Sequence, residues 1–124
     1  MDKEKVILWD KEWDLKIVYD CYDDEEVLPS QKEALNHFLK EPYVVASDLD
    51  RLKAYCIDRD KEYIDGEIDD IFRLVTPTYL YIPRKQQEEI IGIMCEYEFD
   101  IEHGLALVYK NKKLSCIDAQ DILL

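Results

Sequence analysis

In Ile90-Ile-Gly-Ile-Met-Cys-Glu-Tyr-Glu-Phe99, the side chains of Ile91, Ile93, Cys95, Tyr97 and Phe99 recur at every second position. A period of two puts all five on one face of a β-strand, whereas a helix would scatter them around its axis. The same pattern continues downstream in Leu105 to Tyr109 and Leu114 to Ile117, with Asn111-Lys112 as the connecting turn. Upstream, Tyr79-Leu-Tyr-Ile-Pro83 is also strand-like. Short connections make antiparallel neighbours, so the carboxy-terminal third reads as a β-meander.

The middle of the chain changes period. Ser30-Gln31-Lys32-Glu33 matches a capping box with Ser30 as N-cap and Glu33 at N3. The helix it opens places Ala34, Leu35, Phe38 and Leu39 on one face and stops before Pro42. A second helix is expected from about Tyr43 to Tyr63, with Val45, Leu49, Leu52 and Cys56 as a single apolar stripe; Ser47 is the alternative start. At the amino terminus, Val6 to Trp9 and Leu15 to Tyr19 read as strands around a charged turn, Asp10-Lys11-Glu12. The expected fold is α+β: a mainly antiparallel sheet, two helices packed on one face, and a carboxy-terminal meander. There is no internal repeat and no linker, so residues 1–124 form a single domain.

A chain of 124 residues and 14.8 kDa should expose roughly 7,000 Å² when folded against roughly 21,000 Å² unfolded, enough burial for one core. A hydrophobic fraction of 48% supplies the material for it and argues against disorder. No apolar run approaches a membrane span, and Met1-Asp-Lys-Glu-Lys5 lacks a signal peptide's apolar stretch. The expectation is a soluble, cytoplasmic protein.

Charge is the strongest compositional signal. The 29 acidic and 16 basic residues leave a net charge of −13. Residues 1–70 hold 21 acids and 10 bases, whereas residues 71–124 hold 8 and 6. Asp20-Cys-Tyr-Asp-Asp-Glu-Glu26 carries five carboxylates and no base, and Asp58 to Asp70 carries seven against Arg59 and Lys61. Such a field repels phosphate backbones, which disfavours nucleic acid and anionic membranes as partners. It attracts a cationic protein and speeds its association in a salt-dependent way. The plainer explanation is solubility.

Motifs with chemistry are weak. Cys21, Cys56, Cys95 and Cys116 contain no C-x-x-C pair, and three of them sit in apolar periodic segments, as small buried hydrophobes do. Asp58, Asp60, Glu62 and Asp69 fall at positions 1, 3, 5 and 12 of a calcium loop, but Tyr63 stands where its turn requires Gly, and Gly66 is misplaced. A solvated helix end followed by an acidic loop explains the same residues. Phe99-Asp100-Ile-Glu102-His103-Gly104-Leu105 gathers an Asp, a Glu and a His, the residue types of a metal site or a general base with its orienter. Read structurally, it is a tight connection: Gly104 takes positive φ, Asp100 caps backbone N–H groups, and Glu102 pairs with His103. Cys95 with His103 would make a thiolate pair, but Cys95 belongs to the apolar strand face, which favours the neutral thiol.

The ending from Cys95 to Leu105 resembles the hallmark of an uncharacterised bacterial domain family whose members close with Trp-Asp-x-Glu-His-Gly-Leu-Gly. Phe99 and Ala106 depart from that string. Thr76-Pro-Thr-Tyr-Leu-Tyr-Ile-Pro83 and the helix start at Pro29 to Gln31 fit the family's rhythm. The resemblance implies no catalytic residues. Small acidic families of this kind resemble the immunity proteins encoded beside polymorphic or contact-dependent growth-inhibition toxins.

The function expected is therefore an immunity protein, not an enzyme and without a cofactor, that binds and neutralises a basic toxin domain, a nuclease by charge. Its first contact patch is Asp20, Tyr22, Asp23, Asp24, Glu25 and Glu26; its second is Asp65, Glu67, Asp69 and Asp70. The alternatives are a non-enzymatic scaffold domain or a metal-dependent enzyme using Asp100, Glu102 and His103. Oligomeric state is not readable from the sequence.

Overall fold

The structure, a computed structural model, describes residues 3–22, 24–41, 43–84 and 88–124. The first hairpin joins β1 (Lys3–Leu8) to β2 (Lys11–Tyr19) in antiparallel register, with Val6 opposite Trp13. Its turn is Trp9-Asp10, both with positive φ (53° and 62°), one position earlier than the charge pattern suggested. Two such residues match the right-handed twist of the strands they connect. Trp9 is thereby turned into the core, where it packs against Trp13 and Phe72.

From β2 the chain runs through α1 (Pro29–Lys40) and α2 (Asp48–Arg59) to β3 (Val75–Ile82), which pairs with β2 in parallel. A parallel neighbour requires a long crossover, and both helices lie in it. The remaining strands, β4 (Ile90–Tyr97), β5 (Leu105–Lys110) and β6 (Lys113–Asp118), are antiparallel, so the sheet order is β1-β2-β3-β4-β5-β6. This is the expected α+β fold with its carboxy-terminal meander.

The helices cover one face of the sheet. Ala34, Leu35 and Phe38 of α1 and Leu52 and Cys56 of α2 bury against Leu15, Leu80, Ile82, Ile91, Ile93, Cys95, Tyr97, Leu107 and Tyr109. The alternation read from β4 holds, with Phe99 packed at the edge of the same cluster. On the opposite face Tyr81, Met94, Ala106 and Val108 form a smaller cluster closed by Leu123, beyond a 3-10 turn at Gln120–Ile122. Gly92 leaves room for that closure, since a Cβ there would sit 2.4 Å from Leu123 Cδ1.

Local details depart from the sequence reading. The α1 N-cap is Leu28, with Pro29 at N1, and the side chain that reaches back is Gln31: its Oε1 accepts from the Leu28 N–H at 2.9 Å. Proline at the first helical position loses no hydrogen bond, and the N-cap lies two residues before the expected Ser30. Helix α2 is shorter than Tyr43–Tyr63. It starts after Ser47, placing Asp48 and Asp50 at its positive end, and ends at Arg59. Val45 therefore lies outside the stripe and is 48% exposed.

Candidate functional site

Asp20 closes β2. Its N–H donates to Ile82 O at 3.0 Å, and its carbonyl accepts from Gln31 Nε2 at 2.9 Å. The acidic segment that follows is thus fixed at its root, where the parallel pair ends. Its charges are partly answered from within: Arg84 forms an ion pair with Glu25 and lays its guanidinium over the Tyr22 ring, 4.9 Å from the centroid. Tyr22, Asp24 and Glu26 are exposed. Asp23 lies outside the described residues.

The second acidic segment stays open. After α2 the chain turns through Gly66, whose φ of +81° suits glycine, and reaches a 3-10 turn at Ile71–Arg73. Asp70 Oδ1 caps that turn by accepting from the Phe72 N–H at 3.0 Å. Asp65, Glu67, Asp69 and Asp70 line a groove of about 260 Å³ whose apolar walls are Tyr63, Ile64, Ile68, Leu74 and Phe99. The Tyr63 and Phe99 rings stack at 5.3 Å and 21°. The calcium-loop spacing has no counterpart in space: Asp58 pairs with Lys61 and Asp60 accepts from the Tyr97 hydroxyl.

Asp100 is the hub of the third candidate. One oxygen binds Arg59 Nη2 of α2 at 2.5 Å; the other accepts from the His103 N–H at 3.1 Å and lies 3.0 Å from His103 Nδ1. Its own carbonyl accepts from the Gly104 N–H at 2.9 Å. Arg59, and then the His103 bonds, hold the Asp100 carboxyl at about 2, below its ordinary 3.8. His103 is raised in return by the hydrogen bond and charge of Asp100. The imidazole thus pairs with Asp100, three residues earlier, in place of the expected Glu102, which is exposed. Gly104 has a φ of +58°, and a Cβ on it would meet Cys95 O at 2.4 Å and Gln120 Nε2 at 2.6 Å. Gln120 completes the knot, donating to Cys95 O at 2.9 Å and accepting from the Tyr79 hydroxyl at 3.3 Å.

Asp100 and His103 are therefore held together by turn geometry, while the Glu102 side chain is exposed beside them. Among the described residues no group of three His, Cys, Asp or Glu is placed to hold a metal ion. Burial pushes the Cys95 thiol well up, and it faces the helix-covered core while His103 is exposed, so the two do not form a thiolate pair. Burial also raises Cys56, to about 11.

Sequence reasoning missed the roles of Arg59 and Arg84, which neutralise Asp100 and Glu25, and of Gln31 and Gln120, which tie the backbone carbonyls of Asp20 and Cys95 to distant segments. All four act across separations of 11 residues or more, which no local pattern encodes. Among the described residues no helix is long and apolar enough to cross a membrane. Neither the curated proteins nor the solved structures contain a match to the chain. Residues 2–124 match a family of uncharacterised domains, and the chain belongs to that family, described as Domain of unknown function (DUF6985).

Proposed function

We propose that this domain is a cytoplasmic immunity protein that acts by binding and not by catalysis, covering the phosphate-gripping surface of a cationic toxin domain such as a nuclease. A nuclease must present Lys and Arg to its substrate, and a carboxylate-rich protein competes for the same charges. The observation that carries this reading is the set of exposed acids whose charge no basic residue answers. Asp24, Glu26, Asp65, Glu67, Asp69 and Asp70 are exposed and enter no ion pair among the described residues, whereas Glu25 and Asp100 are neutralised internally. Exposed Tyr22 and Tyr63 beside them supply apolar area with a polar tip, the composition of interface anchors.

The test is genetic. The carboxy-terminal domain encoded by the adjacent reading frame is expressed with and without this protein, and growth is followed. Killing relieved only by co-expression is the expected result. A harmless neighbour, or killing that this protein does not relieve, removes the immunity reading and leaves a binding domain with another partner.

A further inference from the structure

The acidic groove does not end at Leu74. A second groove of about 200 Å³ begins there, sharing Arg73 and Leu74 and bordered by Glu96, Glu98 and Ile101. The two grooves share Arg73 and Leu74, and an exposed apolar side chain lines each: Tyr63 (67% exposed) and Ile101 (81% exposed). Apolar area ringed by charge is the composition of a contact surface. Asp65, Glu67, Asp69 and Asp70 in one groove and Glu96 and Glu98 in the other set six carboxylates against Arg73.

We propose that this double groove, not the Asp20–Glu26 loop, is where the partner docks, and that its occupant is a basic segment whose Lys or Arg side chains alternate with apolar ones. The inference rests on the reading that the partner is cationic. Each groove is smaller than a drug-sized site, so each accepts one or two side chains of a protein segment. The stacked Tyr63–Phe99 pair offers a surface for an aliphatic stem or a guanidinium face, while the rim carboxylates meet its charge. The Asp20–Glu26 loop is the weaker seat because Arg84 already occupies Glu25 and the Tyr22 ring.

The full chain, labelled with 15N, is titrated with an acetylated, amidated Lys-Leu-Arg-Leu-Lys peptide at low salt. Amide shifts concentrated at 63–74 and 96–101, with at least fivefold weaker binding for Tyr63→Ser/Ile101→Ser, are expected. Both side chains are exposed, and an unchanged melting temperature confirms that the double variant folds. Shifts concentrated at 20–26 overturn the docking site while leaving a cationic partner in place. Binding that is insensitive to the double variant and disappears at 150 mM salt is unspecific charge condensation and overturns the proposal, as does no binding. The growth assay above is independent of all four outcomes.

Discussion

Gln31 joins three chain segments through one side chain: its amide accepts from Leu28 and donates to the carbonyls of Asp20 and Ile82 while fully buried. Replacing it with Leu keeps the volume but removes the partner of the Leu28 N–H and of the Asp20 carbonyl, at about 1–3 kcal/mol each, while Ile82 O keeps its bond from the Asp20 N–H. Gln31→Leu should lose about 2–4 kcal/mol in a urea melt; a loss below about 0.5 kcal/mol would mean that these bonds are dispensable. Gly104→Ala should cost a similar amount, because alanine must hold positive φ and also meets Cys95 O. Asp100 and His103 make stability depend on pH with opposite signs. Asp100 is held below its ordinary 3.8, so its contribution is complete above that value and fades as pH falls toward about 2. His103 is raised above its ordinary 6.5, so its contribution is complete below 6.5 and is lost as pH climbs through the raised value. Melting curves should show His103→Gln below wild type at mildly acidic pH and level with it at alkaline pH. An NMR titration should show the His103 pKa falling in Asp100→Asn.

Elements with a strong local period were legible from the sequence. The alternation of Ile91, Ile93, Cys95 and Tyr97 and the stripe of Ala34, Leu35 and Phe38 each face the core as expected. The strand around Pro77 was only half legible, because proline argues against a central strand. Here it is accommodated by a bulge: Pro77 pairs with Cys95 and Tyr79 with Met94, leaving Thr78 as the extra residue, its hydroxyl bonded to Met94 O. The bulge reverses the parity, so Val75 and Pro77 share a face with Leu80 and Ile82, a switch that no simple period reveals. The parallel pairing of β2 with β3 was equally hidden, since it depends on where two helices return the chain. In the candidate site, the acids were visible as a run, but which of them stay free depends on distant arginines. The turn at Asn111-Lys112 takes positive φ at both residues (50° and 70°), so Lys112→Gly should stabilise the hairpin by about 0.5–1 kcal/mol and raise the melting temperature by a few degrees. A lower melting temperature would show that the long Lys112–Glu41 contact at 3.8 Å matters more than the backbone preference.

At the scale of the molecule, the fold carries a net charge of −13 over 7,780 Å² of surface, and its exposed carboxylates without an ion pair among the described residues include Asp24, Glu26, Asp65, Glu67 and Asp69 on loops and Glu96 on β4. Self-repulsion on that surface should relax with salt, so the melting temperature at neutral pH should rise between about 10 and 300 mM sodium chloride. A flat or falling curve would mean that internal pairs such as Arg59–Asp100 outweigh the repulsion. Under the proposal above, the carboxylates at 63–70 that repel one another in the free protein are the ones a cationic partner meets. The most direct measurement of that proposal is the dissociation constant for the carboxy-terminal domain encoded by the adjacent reading frame, the proposed partner, taken at about 50 and 200 mM salt for the wild type and for Asp65→Asn/Glu67→Gln/Asp69→Asn. The account predicts affinity that falls at least tenfold with salt in the wild type, and a variant that binds more weakly with a shallower salt dependence. Equal affinity for both proteins, indifferent to salt, would contradict it.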